Sequence, residues 1–354
     1  MLRAGLGLVG AALVGLGLWG GRRRVQTPGV PGARTRGPNA LLPFLTPTES
    51  FYRYSNGPPP APLDAAQARV LLGATDAPTA FGWADLLPLA RRLEARTLQC
   101  DGNGYEAQGP PQIGCQVLPD EDRERPEPEN WPWRFGGIGT AEWNVLSVAE
   151  LFGELGLPTD GPWLRVEGRD GYLRWFPAEA ARGADFLIAV GMNGAPLPHG
   201  HGAPARLLAP GQYGAMQVKW LKSLTFGAFD DARPFDGGPD TAYPVKPLAF
   251  ATMPLDGATI DGLVELAGGA FAGGRAVKEV LLWVDPGQVW QAELIDPPRA
   301  NLWSRWRSSV QLPKGRHRLH VACVDDQGRH SKEQRAWGDA EGYGGFHVLT
   351  IDVV

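Results

Sequence analysis

The chain has 354 residues, 43% of them hydrophobic, and a formal charge of -4 at pH 7. That is enough apolar content for more than one core, which favours two domains and excludes a disordered or low-complexity polypeptide. Mild acidity without a basic patch beyond the N-terminus argues against nucleic acid or an acidic membrane surface as partner, and 48 Gly, 33 Pro and 13 Trp point to loop-rich β structure with large aromatic anchors.

Residues 4–21, AGLGLVGAALVGLGLWGG, form an uncharged apolar run of bilayer-spanning length. We read residues 1–24 as a signal or membrane anchor outside the fold. Arginines flank the run on both sides (Arg3; Arg22, Arg23 and Arg24), so orientation is left open. The expectation is an exported, periplasmic or membrane-anchored protein with its body outside the cytoplasm. Residues 25–45, rich in Pro, Gly and Arg without periodicity, read as a linker.

From residue 46 to 228 the pattern mixes predicted helices (Trp83 to Arg92; Ser147 to Leu155) with short apolar strands (Trp163 to Val166; Phe186 to Val190), an α+β reading. The Asp, Gly and Pro-rich run FDDARPFDGGPDT at 229–241 reads as an interdomain connection. Residues 240–354 are predicted to be all β. AVKEVLLWVDPGQVWQAELI gives two alternating runs around Asp285-Pro286-Gly287, and HRLHVACVDDQG and FHVLTIDVV add further strands, a spacing that fits an immunoglobulin-like sandwich.

One of only three cysteines, Cys100, stands in ARTLQCDGNG where an alternating run meets a Gly/Asn turn. Three readings stay open. A disulfide to Cys115 would close a short loop and stabilise by about 3 kcal/mol. A thiol nucleophile would need a histidine base, and six histidines are present. A metal thiolate could not form a closed zinc site alone, but suits a metal already chelated by a cofactor.

Six segments occur in the order seen in a known family. They are LTPTESFYRY, LQCDGN, WRFGGIGTAEW, VEGRDGYLRWFP, MNGAPLPHGHGAPARLLAPGQYGAMQVKWL and GGFHVLTIDV. Together they resemble the sulfite oxidase family of molybdenum-pterin enzymes, over about Leu45 to Val354. The resemblance implies a molybdopterin-binding α+β domain followed by an immunoglobulin-like dimerisation domain, a molybdenum-molybdopterin cofactor, and Cys100 as the protein ligand to the metal. It also implies Arg53, Tyr172 and Trp133 in the substrate pocket. Tyr54, Ser55, Asn103, His201, Arg206, Gln217 and Lys219 would contact the cofactor, Arg206 and Lys219 suiting a terminal phosphate.

The implied activity is two-electron oxygen-atom transfer to a sulfur compound. No Cys-x-x-Cys-His haem motif occurs in the sequence, so electrons are expected to pass to an external c-type cytochrome, from a homodimer. The chain departs from the family at Tyr105, at 339–341, and at Tyr54 and Ser55. Two of these departures remove anion-binding arginines, each hydrogen bond to an anion being worth about 1.5–3 kcal/mol. Arg134, Arg169 and Arg174 are the candidates to replace them. Two alternatives follow: a sulfur dehydrogenase acting on a carrier-bound sulfur or another non-sulfite substrate, and a cofactor-free binding or assembly module.

Overall fold

The computed structural model describes residues 25–26, 42–55, 58–64, 66–104, 135–229, 243–284, 287–332 and 342–354. The expected anchor, Cys115, Trp133 and most of the expected interdomain connection lie outside them. Among the described residues no helix is long and apolar enough to cross a membrane.

After β1 (Val25–Gln26), the first part of the chain carries β2 (Arg69–Ala74), β3 (Ala77–Gly82), β4 (Arg92–Gln99), β5 (Ile138–Ser147), β6 (Trp163–Gly168), β7 (Leu173–Pro177), β8 (Leu187–Met192), β9 (Ala195–Pro196), β10 (Arg206–Leu208) and β11 (Leu221–Gly227). They form two sheets, ordered β3-β2-β11-β6-β7 and β10-β8-β5-β4, with β9 paired to β8. The β2–β11 pair is parallel, joining Leu71 to Ser223 across most of this part.

Three short α-helices complete it: α1 (Trp83–Leu86), α2 (Val148–Glu154) and α3 (Ala178–Ala181). Helix α2 is closed by a capping box, in which Ser147 Oγ accepts from Glu150 N (3.0 Å) and Glu150 Oε2 accepts from Ser147 N (2.8 Å). It buries Val148, Leu151 and Phe152 along one stripe.

The helix expected over Trp83 to Arg92 ends instead at Leu86. A single 3-10 turn, Leu87–Leu89, follows, and β4 begins at Arg92. Pro88 has no N–H to give to a continuing helical ladder, and the chain turns extended at Ala90, the stretch after Arg91 being claimed by the sheet.

The second part holds β12 (Leu248–Met253), β13 (Ala258–Ile260), β14 (Leu263–Phe271), β15 (Val277–Val284), β16 (Val289–Gln291), β17 (Glu293–Leu294), β18 (Ser304–Gln311), β19 (Gly315–Asp325) and β20 (His347–Val353). The expected hairpin is present, Trp283 pairing with Val289. Sheet β12-β14-β18-β17 faces sheet β1-β16-β15-β19-β20-β13. Inward residues such as Val264, Leu282, Trp306, Val321 and Ile351 fill the space between them, following the alternation of β18 and β20.

The two parts share a core. Leu248, Phe250, Phe271, Trp303 and Tyr343 of the second part join one apolar cluster with Leu42, Phe135, Ile138 and Met216 of the first. The main chain of 42–44 is bound to the second part, Leu42 O accepting from Arg305 Nη1 (3.1 Å) and Phe44 O from Trp303 Nε1 (3.0 Å). Edge strand β4 is capped the same way. Asn301 O accepts from Thr97 N (3.0 Å), and Thr97 Oγ1 accepts from Trp303 N (2.8 Å) while lying 2.6 Å from Thr140 Oγ1.

Candidate active site

Cys100 continues the β4 ladder, its N donating to Gly137 O (2.8 Å), and a turn follows in which Asn103 N donates to Cys100 O (3.1 Å). The turn ends at Gly104 with φ +105°, the left-handed region that favours glycine. The second part holds this turn directly. Tyr343 N donates to Asp101 O (3.1 Å), Tyr213 Oη donates to Tyr343 O (2.9 Å), and the Tyr343 ring lies where a Cβ on Gly104 would sit.

The thiol of Cys100 is free among the described residues and buried. Burial, and then the neighbouring Asp101 carboxylate, whose Oδ1 is 3.4 Å from Sγ, hold its pKa well above the ordinary value. A thiol in that state is a poor nucleophile on its own, and a metal that displaces the proton relieves the penalty.

Cys100 opens into a cavity walled by Arg53, Tyr54, Ser55, Asp101, Asp170, Tyr172, His201, Arg206, Gln217 and Lys219. Four separate segments are thereby brought to one place. The opening segment is anchored by the buried Phe51, which meets His201 edge to face at 5.7 Å and Trp143 at 5.8 Å. Gly139 leaves the space for it, since a Cβ there would lie 2.8 Å from the ring. Arg53 lies against Gly200 in similar fashion.

Two cations, Arg206 and Lys219, and the imidazole of His201 crowd together. Arg206 is buried, donates Nη1 to His201 O (3.1 Å) and packs over Trp143 at 5.4 Å. Its Nε has no hydrogen-bond partner among the described residues, and burial pulls its pKa down to about 10. Lys219 Nζ donates to Tyr54 O (2.9 Å) and Ser55 Oγ (2.5 Å) and sits over Trp220 at 4.3 Å. Burial, then Arg206, lowers its pKa to about 7. His201, with Nε2 3.3 Å from Thr48 O, is pushed down to about 3 by burial and then Arg206, so it is neutral near pH 7. Desolvated positive charge without a matching anion is the signature of an anion site.

Tyr172 Oη donates to Ala215 O (2.7 Å) and accepts from Arg174 Nη2, with the guanidinium 4.0 Å from its ring. Burial raises its pKa to about 12.

Most residues singled out in the sequence thus meet at one cavity. Gln217 lines it, but its amide is engaged by the main chain at Ala209 N, Ala209 O and Gln212 O. Asn103 is fully buried under the turn, both amide atoms lacking a partner among the described residues. Trp133, Arg134, Tyr105 and 339–341 lie outside the described residues. Sequence reasoning passed over Tyr52 and Asp170. Tyr52 is buried beside Cys100, its pKa raised by burial and then by that thiol. Asp170 had one signal, its position two residues before Tyr172 in a quoted segment.

A buried thiol at a strand end thus lines one cavity together with a cluster of desolvated cations. Comparison with known proteins identifies the class. The family described as "Oxidoreductase molybdopterin binding domain" matches residues 57–235, and the chain belongs to the sulfite oxidase family of molybdopterin-binding oxidoreductases.

It is 29% identical over 324 residues to "Sulfite oxidase, mitochondrial" of Homo sapiens, covering 80% of this chain and 56% of that protein. It is 28% identical over 317 residues to "Sulfite oxidase" of Gallus gallus, covering 79% of this chain and 66% of that one. The chain thus spans between about half and two thirds of these relatives' length. Its fold matches the sulfane dehydrogenase SoxCD from Paracoccus pantotrophus with a TM-score of 0.65 at 22% identity, over 83% of this chain and 80% of that one.

The molybdenum-molybdopterin cofactor fits the residues present. Cys100 offers a soft thiolate. Arg206, with its unpartnered Nε, and Lys219 offer buried positive charge for a phosphate.

Proposed function

We propose that the protein is a molybdenum-pterin oxidoreductase that transfers an oxygen atom to a sulfur compound and passes electrons to an external cytochrome. The observation that carries this is the buried thiol of Cys100 lining the same cavity as the buried cations Arg206 and Lys219. When bound, the cofactor supplies the two-electron redox chemistry.

The chain's own residues bind and orient. Arg206 and Lys219 hold the cofactor's anionic end, and His201, neutral near pH 7, adds no charge beside them. Arg53 brings positive charge to the cavity beside Gly200, suited to steady an oxyanion. Tyr172, its proton directed at Ala215 O, turns an oxygen backed by Arg174 toward the same space.

Cofactor retention distinguishes this reading from a cofactor-free module. Protein purified from a cofactor-competent host is expected to carry about one molybdenum per chain and to reduce an artificial acceptor with a sulfur compound. Cys100→Ser is expected to lose both metal and turnover. A Cys100→Ser protein with undiminished molybdenum and activity refutes the assignment.

We further propose two domains, 46–228 and 240–354, with homodimerisation through the sandwich. Residues 1–24 would act as signal or anchor and place the body outside the cytoplasm. A C-terminal reporter fusion reads the last point.

A further inference from the structure

We infer that Asp170 sets the charge of the substrate, making the cavity selective for a sulfur compound bearing a single negative charge, such as a sulfinate, over a doubly charged free anion. This rests on the proposed activity and specifies its substrate class.

The cavity is lined by charges of both signs. Arg53, Arg206 and Lys219 all act on His201, and Lys219 is acted on by Arg206, by Asp170 with the opposite sign, and by Arg53. The cations suit the cofactor's phosphate. Tyr172 is acted on by Asp101 and Asp170 as well as by Arg174, so both carboxylates that line the cavity bear on the wall where Tyr172 sits.

Asp170 is held there by local geometry. Its Oδ1 accepts from Tyr172 N (3.2 Å), and its side chain folds back over Gly168, where a Cβ would lie 2.4 Å from Oδ1. Any larger residue at 168 would displace the carboxylate. Lys219 is the cation whose field reaches Asp170, but its ammonium is already committed to Tyr54 O and Ser55 Oγ. Among the described residues Asp170 forms no ion pair. Burial pushes its carboxyl up, and the hydrogen bond from Tyr172 N and the field of Lys219 offset part of that. Once the cofactor's anion takes up the charge of Arg206 and Lys219, the field left on an incoming substrate includes that of Asp170.

Each negative charge on a ligand about 8 Å from such a carboxylate, at an effective dielectric constant of about 20 to 40, loses roughly five- to thirtyfold in affinity. A dianion loses the square of what a monoanion loses. Asp170→Asn removes the charge and keeps the acceptor for Tyr172 N.

The test uses molybdenum-loaded wild type and Asp170→Asn at low ionic strength, where screening is weak. Calorimetry measures the affinities of sulfate, a dianion, and methanesulfonate, a monoanion, both product-like and unreactive. Asp170→Asn is expected to tighten methanesulfonate by about fivefold or more and sulfate by roughly the square of that factor. Equal shifts for the two anions, or none, overturn the role of Asp170. Turnover is scored separately with sulfite and methanesulfinate and an artificial acceptor. Fully metallated wild type that oxidises neither overturns the assigned activity, and with it the substrate class.

Discussion

Replacing Gly104 by alanine probes the joint between the Cys100 turn and the sandwich. The added Cβ would lie 2.2 and 2.5 Å from Cδ1 and Cε1 of Tyr343 and 3.0 Å from Phe135 Cε1, at a backbone φ of +105°. Left-handed geometry costs an L-residue about 1–2 kcal/mol, and forcing a methyl into a packed aromatic site costs about 1–3 kcal/mol more. Gly104→Ala should therefore destabilise by roughly 2–5 kcal/mol, measured by urea unfolding at constant m-value. Because the same turn carries Cys100, molybdenum content should fall with it. In a Tyr343→Ala background the clash with Tyr343 disappears, only the looser contact with Phe135 is left, and the cost should fall toward the backbone part of about 1–2 kcal/mol. A Gly104→Ala protein as stable as wild type and fully metallated, or an undiminished cost in the double variant, refutes the reasoning.

Further outcomes are expected. Ser147→Ala removes the acceptor for Glu150 N and opens the capping box of α2, which should cost about 1 kcal/mol in chemical denaturation. The Ser147 amide holds the Glu150 carboxyl below its ordinary pKa. That contribution is present above the unfolded-state value and should fade as pH drops through the folded one, a pH dependence absent from Glu150→Gln. Lys219 is depressed to about 7 from the ordinary 10.5, so between those values the unfolded chain binds the extra proton. Cofactor-free protein should therefore gain stability as pH rises from about 7 toward 10.5, and Lys219→Met should flatten that rise in melting curves. Trp303→Ala, which empties a fully buried site between the two parts, should cost about 3–5 kcal/mol.

The parts of the fold that were legible rest on short-range rules. Helix α2 showed itself through Ser147, Glu150 and an apolar stripe, and the β15–β16 hairpin through alternation around a turn. The Cys100 loop stood out for a similar reason, a thiol where alternation meets Gly and Asn. The helix from Trp83 failed because its apolar spacing was read without weighing Pro88 against the pull of β4. Pairings such as Leu71 with Ser223 join distant stretches and leave no local trace. The cation cluster was reachable only through resemblance, since Arg206 and Lys219 alone look like ordinary strand charges. Asp170 escaped because one acid in a turn carries no spacing signal, and its meaning comes from the cavity it faces.

The hydrogen bonds that finish edge strand β4 have a consequence for biosynthesis. Thr97 receives its partners from Asn301 and Trp303, so a chain emerging vectorially must wait about two hundred residues before that border is closed. Until then an open strand bearing the exposed Leu93 invites intermolecular pairing. Nascent or stalled polypeptides that stop short of residue 303 should therefore be the aggregation-prone species, and a holdase that shields the 92–99 segment should raise the yield of assembled protein.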